Sequence, residues 1–241
     1  MRQPIFDRLE SEGRLGPMKK YAHSELEGKF ALLTDSDLGE FKEFEDARKK
    51  LAVILEFSRE DAGLLDERII QPLIGIEQSL GLEFSLVGRD MPFHCTVLTG
   101  KASQEGGLSE VKEEVIDSPV FNEMCQKILG TEVNYGLLLY EKTNLLLTAT
   151  KIPEIIRSAR QFLKDKYAEK GLKPAKSLDD FLHCTISRMT KLPPPDSRLE
   201  IFNQYLEALQ PLRAELTKNP LHFKPQGVYV GSLADFVKKG K

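Results

Sequence analysis

Two short stretches of this 241-residue sequence repeat the same pattern of residue types around a histidine. They are Pro92-Phe93-His94-Cys95-Thr96-Val97 and Phe181-Leu182-His183-Cys184-Thr185-Ile186. Successive side chains of a β-strand point to opposite faces, so each histidine shares a face with the threonine two residues later. Two imidazoles that titrate near neutrality can divide the roles of general base and general acid, while two hydroxyls bind phosphate oxygens. The repeat therefore predicts one site for phosphoryl chemistry, built from both stretches.

Other interpretations of the repeat remain open at this point. A lone His-x-Thr pair in a strand is usually an ordinary half-buried pair, but two of the four histidines fall in matching contexts, unlike His23 and His222. Histidine and cysteine both ligate zinc, which makes a structural zinc protein an alternative. Neighbouring residues of a strand point apart, however, so His94 and Cys95 would reach one ion only through a local distortion.

The two motifs resemble the signature of the two-histidine (2H) phosphoesterase superfamily, which includes RNA 2′,3′-cyclic phosphodiesterases and 2′-5′ RNA ligase-like enzymes. Here they stand as His94-Cys95-Thr96-Val97 and His183-Cys184-Thr185-Ile186. The resemblance implies a hydrolase for a nucleotide or RNA-end phosphodiester, either a 2′,3′-cyclic phosphate or a 2′-5′ linkage, that uses no metal or other cofactor. A nucleotide-binding or RNA-binding module of the same fold with weak catalysis is the alternative.

The resemblance also implies roles for individual residues. His94 and His183 would be catalytic, one activating water or a ribose hydroxyl and the other protonating the leaving oxygen, in an order that the sequence leaves open. Thr96 and Thr185 would bind the phosphate. Arg188 matches a basic residue that bacterial RNA ligase-like members carry after their second motif, although strict strand alternation would turn Arg188 away from the cleft.

Some further residues are candidates for contact with the substrate. Phe93, Phe181 and Tyr229 have rings that could stack on a base, but aromatic residues in such contexts are more often part of the core. Thr99 occupies the position in the first motif that Arg188 occupies in the second. The first half of the site would therefore lack a basic residue there.

Hydrophobic spacing predicts the elements that position the motifs. The pattern indicates an α/β (α+β) fold of two pseudo-symmetric lobes, each with a mainly antiparallel sheet, outer helices and a shared cleft. Predicted strands cover about residues 29–34, 83–88, 93–99, 133–140, 144–150 and 181–189, with extended segments over 221–230. Predicted helices cover 38–55, 58–80, 109–129, 153–170 and 196–209; Pro72 should kink or split the second of them, and Ser118-Pro119 interrupts the third. In this interpretation the strand at 29–34 corresponds to the strand at 144–149.

Composition restricts the setting and the partners of the protein. Apolar residues make up 41% and charged residues 29%, with no apolar run near the roughly 20 residues of a membrane span and no secretory signal. Three cysteines, two inside the motifs, suit free thiols, so we expect a cytoplasmic protein. A net charge of −3 disfavours a long nucleic-acid groove and favours a nucleotide or short RNA end as partner. We expect a monomer, with an N-terminal arm at 1–28 and one bilobal domain at 29–241.

Overall fold

The computed structural model describes residues 30–35, 38, 50–88, 92–101, 107–141, 143–174, 182–232 and 235–236. The predicted arm at 1–28 lies outside these ranges. In chain order the elements are β1 (Lys50–Glu56), α1 (Arg59–Leu65), a π-helical turn (Asp66–Ile70), α2 (Gln71–Ser79), β2 (Glu83–Leu86), β3 (His94–Lys101), α3 (Gly107–Ile116), α4 (Pro119–Leu129), β4 (Val133–Glu141), β5 (Asn144–Ala149), α5 (Glu154–Glu169), β6 (Lys173–Pro174), β7 (His183–Lys191), α6 (Arg198–Ala208), α7 (Gln210–Lys218), β8 (Leu221–Phe223) and β9 (Gly227–Ser232).

The strands form two antiparallel sheets, one around each motif strand. The first sheet has the spatial order β6-β3-β1-β9, and the second has the order β2-β7-β5-β4-β8. In both, the motif strand (β3 or β7) lies beside a strand that leads into helices, β1 in the first sheet and β5 in the second. This arrangement confirms the predicted bilobal α+β fold.

The two sheets exchange short strands. β2 directly precedes the first motif strand along the chain, yet it pairs with the second motif strand β7. β6 precedes the second motif strand and pairs with the first, β3. The helices follow the same rule, because α5 packs on β3 and β6 while α2 packs on β2. Each half of the chain therefore completes the layers of the other.

A continuous apolar core lies under both sheets and the helices that cover them. Two of its polar side chains are hydrogen-bonded across elements: the Arg160 Nε of α5 donates to the Val97 carbonyl of β3 at 2.8 Å, and the Tyr167 hydroxyl donates to the Leu51 carbonyl at 3.4 Å. Buried polar groups need such partners, since an unpaired one costs about 1–3 kcal/mol. The core therefore joins the two lobes rather than dividing into two.

Most predicted helices and strands are confirmed. Ser58 caps α1 in a capping box with Asp61, as its position before the apolar stripe favours. The predicted break near Pro72 is a π-helical turn, which ends just before that proline. Gly81 and Gly171 adopt φ values of +64° and +70° directly after their helices, a backbone conformation that glycine adopts readily.

The strand predicted at 29–34 is wrong over its described residues, and the helix predicted at 38–55 is wrong over residues 50–55; residues 39–49 lie outside the described ranges. Phe30 and Ala31 are helical, and the strand that flanks the first motif is β1, whose Leu51 and Leu55 had been assigned to a helix. Residues 51–55 are all buried, because the strand is covered on both faces. A strand buried on both faces shows no alternation, and apolar residues four apart then imitate helical spacing. The counterpart of β5 in the first half is therefore β1.

None of the described helices combines the length and the apolar character that crossing a membrane requires.

Candidate active site

The two motif strands have the same burial pattern and the same irregularity. Along β3, His94, Thr96 and Thr99 are half-buried, whereas the residues between them are buried. In the ladder Val53 lies opposite Leu98 and Ile54 lies opposite Thr96, so Val97 is an extra, bulged residue. A bulge shifts the alternation of faces by one residue. Thr99 therefore shares the face of His94 and Thr96.

The second motif strand repeats this geometry. Along β7, His183, Thr185 and Arg188 are half-buried between buried neighbours. Leu145 lies opposite Ser187 and Leu146 opposite Thr185, which leaves Ile186 as the bulged residue. Strict alternation had predicted that Arg188 would point away, and the bulge returns it to the face of the histidine. Each strand thus presents a row of three polar side chains.

The bulged carbonyls have partners from neighbouring elements. The Val97 carbonyl accepts the hydrogen bond from the buried guanidinium of Arg160, and the Ile186 carbonyl accepts from the Val87 amide at 3.0 Å. Bulges interrupt the ladder, so these bonds replace the ones that are lost. Arg160 is not among the residues that the motifs predict; the signal for it in the sequence is a lone arginine on the apolar face of a predicted helix.

The motif strands lie next to each other between the lobes. The Cys95 thiol donates to the His183 carbonyl at 3.1 Å, and the Cys95 and Cys184 thiols are hydrogen-bonded beside the Tyr135 hydroxyl. Both cysteines are buried, as expected of small apolar side chains, but they meet at the junction between lobes. Burial raises the pKa of the Cys184 thiol well above its usual range, with a further rise from Cys95. A neutral buried thiol is a poor nucleophile.

His94 is held in one orientation. Its Nδ1 lies 2.7 Å from the Pro92 carbonyl, and a carbonyl only accepts, so Nδ1 carries the proton of the neutral ring. The edge of the imidazole packs against Phe236 with ring centroids 5.0 Å apart. Burial lowers the pKa of His94 from its ordinary value of 6.5; the bond to Pro92 opposes this, and the positive charge of Arg188 adds to it. The ring is therefore neutral at pH 7, with its lone pair on Nε2.

Arg188 is the basic side chain of the second row. Its Nε donates to the Asn144 Oδ1 at 3.1 Å, which holds the half-buried guanidinium in place. Its charge acts on His94, which belongs to the other lobe. This interaction links the second row to the first across the two lobes. An arginine there suits a phosphate group.

The candidate stacking residues lie in different environments. Phe93 is 8% exposed and stacks on Phe57 with ring centroids 4.6 Å apart. Tyr229 of β9 lies directly opposite Ile54, on the face of the first sheet that carries Thr96, and its ring packs against Phe236. Phe181 lies outside the described residues. Stacking on a base remains a prediction for all three.

The zinc interpretation finds no donor set in the described part of the chain. Within it, no three His, Cys, Asp or Glu side chains come together as a metal site would require. The motif cysteines are buried and contact each other, whereas the histidines lie on the opposite, half-buried faces of their strands.

The fold is thus a bilobal α+β architecture with a histidine-bearing strand in each lobe. It is similar to the structure of Kluyveromyces marxianus Usb1 with uridine monophosphate, at 14% identity and a TM-score of 0.46, covering 78% of this chain and 100% of that chain. A second structure of Kluyveromyces marxianus Usb1 matches with the same identity and coverage and a TM-score of 0.44. No family model and no curated protein matches the sequence.

Proposed function

We propose that this protein is a phosphodiesterase that opens a nucleotide or RNA-end phosphodiester, a 2′,3′-cyclic phosphate or a 2′-5′ linkage, by two-histidine acid–base catalysis without a metal ion. The observation that carries the proposal is the pair of matching rows, His94-Thr96-Thr99 and His183-Thr185-Arg188, produced by bulges at equivalent positions. A structural strand needs no such repeat. Two acid–base groups that act on one phosphate, however, must occupy matching positions on the two strands.

The environment of His94 suits the general base. A base must be unprotonated at working pH and must direct its lone pair at the proton it removes. The Nδ1–H of His94 donates a hydrogen bond to the Pro92 carbonyl, and burial lowers the pKa of the imidazole. His94 Nε2 would take the proton of the attacking water as the new P–O bond forms. His183 would then be the acid.

The remaining groups complete a balanced reaction. As the bond from phosphorus to the leaving ribose oxygen breaks, protonated His183 gives its proton to that oxygen. Thr96 and Thr185 hydroxyls would donate to the non-bridging oxygens, and Arg188 would stabilise the charge that grows on them. Product release leaves His94 protonated and His183 neutral, and exchange with solvent restores both.

Replacement of each histidine tests the proposal. His94→Ala and His183→Ala should each lower kcat on 2′,3′-cyclic nucleotides or 2′-5′ dinucleotides by about 10²–10⁴-fold, the usual contribution of acid–base catalysis. His222→Ala is the matched control, because that imidazole is exposed and contacts Glu132 and Asn134, neither of which belongs to the two rows. EDTA should leave the wild-type rate unchanged. Full activity in either motif variant would overturn the proposal.

A substrate with an activated leaving group separates the two roles. A nucleoside 3′-(4-nitrophenyl phosphate) releases nitrophenolate, which needs no proton from the enzyme. His183→Ala should recover most of its activity on this ester, whereas His94→Ala should stay inactive. The reverse pattern would exchange the roles. Tight nucleotide binding without turnover on any of these substrates would instead indicate the binding module.

A further inference from the structure

A cavity of about 220 Å³ opens beside His94, at the ends of β1 and β3. This volume is several times the roughly 30 Å³ that one water occupies in the liquid. Three phenylalanines, Phe57, Phe93 and Phe236, contribute to its lining together with Glu56 and Arg59. The lining is therefore largely aromatic, with one carboxylate and one guanidinium.

Contacts on several sides tie this cavity to His94. Pro92 lines it and also accepts the hydrogen bond from His94 Nδ1. Phe236 borders it and packs against the imidazole. Glu56 lies directly opposite His94 in the β1–β3 ladder, on the same face of the sheet. The cavity therefore adjoins the residues that hold the His94 ring in place.

The polar groups of the cavity are suited to a base rather than a second phosphate. Among the described residues, neither Glu56 nor Arg59 forms an ion pair with an opposite charge. A carboxylate repels a phosphate but accepts from N–H groups, and a guanidinium donates to ring nitrogens and carbonyl oxygens. Apolar aromatic walls suit the faces of a planar ring.

We propose that the cavity binds the nucleobase next to the reacting phosphate and selects guanine, an inference that rests on the proposed function. Guanine presents two adjacent donors, N1–H and the 2-amino group, which the Glu56 carboxylate can accept together. It also presents the O6 and N7 acceptors that arginine pairs with in nucleic-acid recognition, here for Arg59. Uracil has one donor between two carbonyl oxygens, so a carboxylate would face an unpaired acceptor.

Base selectivity tests the inference. Wild-type protein should prefer guanosine over uridine 2′,3′-cyclic phosphate by about 10- to 100-fold in kcat/KM, the discrimination expected of bidentate base contacts. Glu56→Gln and Arg59→Met should each reduce this preference by about tenfold or more, chiefly through a lower kcat/KM on the guanosine substrate. Glu60→Gln, an exposed neighbour in the first turn of α1, is the matched control.

Equilibrium binding separates this inference from the proposed function. Guanosine and uridine 3′-monophosphates are titrated into the His94→Ala, His183→Ala double variant by calorimetry, with and without Glu56→Gln. A guanosine preference that depends on Glu56 supports the cavity even if the wild-type protein turns over no substrate. Turnover of all bases at equal rates, or equal binding of both nucleotides, would overturn the cavity and leave the phosphodiesterase proposal standing.

Discussion

Glu77 makes the stability of this protein depend on pH. It lies on α2, is 4% exposed, and its carboxylate accepts from the Tyr205 hydroxyl at 3.4 Å. Burial raises the pKa of Glu77 from its ordinary value of 4.5 to about 7, against the opposing effect of hydrogen bonds from Tyr205 and Ser187. Above pH 7 the folded protein must therefore hold a charged carboxylate in its interior.

The size of the effect follows from the two pKa values. The folded pKa lies above the unfolded one, so stability is greatest below pH 4.5 and is lost as pH rises through about 7. Each pKa unit corresponds to about 1.36 kcal/mol, so at pH 8 the charged Glu77 lowers the free energy of unfolding by about 3 kcal/mol. At pH 5 most of this cost is absent, because the folded protein keeps Glu77 protonated.

Glu77→Gln removes the titration and keeps the shape of the side chain. The free energy of unfolding of the variant, relative to that of wild type, should rise by about 2–3 kcal/mol from pH 5 to pH 8. The reason is that the amide of glutamine carries no charge at either pH, so no charge has to be buried. Urea unfolding at both pH values measures this difference, and Glu207→Gln on the exposed side of α6 is the control. Equal stability differences at pH 5 and pH 8 would show that Glu77 titrates normally and that the reasoning is wrong.

Other residues around the site offer separate tests. Arg160→Met should lower the free energy of unfolding by about 1–3 kcal/mol by leaving a bulged carbonyl without its charged donor; an unchanged urea midpoint would show that the bond contributes nothing. Gly100→Ala should lower the free energy of unfolding by about 1–3 kcal/mol, because the new methyl group would overlap the ring of Tyr167. An unchanged free energy of unfolding would mean that the ring moves aside freely. Phe236→Ala should hydrate His94 and raise its pKa, so the acid limb of the rate profile should move to higher pH; an NMR titration of the imidazole that does not move would contradict this.

Sequence reasoning located the motif strands because their polar and apolar residues alternate. His94 and Thr96, like His183 and Thr185, do share a face, as that alternation predicts. The same rule failed at β1, where residues 51–55 are buried on both sides and no alternation exists to be detected. The alternation of polar and apolar residues therefore detects only strands that have one solvent-exposed face.

The position of Arg188 depends on a feature that local sequence did not reveal. A bulge at Ile186 moves the guanidinium to the face of His183, and the amide that bonds the Ile186 carbonyl belongs to Val87, which follows β2 in a distant part of the chain. The cavity beside His94 also draws its lining from separate segments, including Glu56 and Phe236. Contacts between remote segments decide such details, and residue spacing carries little information about them.

The exchange of β2 and β6 between the sheets limits how the two lobes can move. β2 is hydrogen-bonded to β7, and β6 to β3, so each motif strand carries on its outer edge a strand from the opposite half. Rotation of one sheet away from the other would break the hydrogen bond from the Cys95 thiol to the His183 carbonyl and would separate the buried Cys95 and Cys184 thiols. The relative position of His94 and His183 is therefore held by buried contacts between the motif strands as well as by the two chain crossings that lead from β2 to β3 and from β6 to β7.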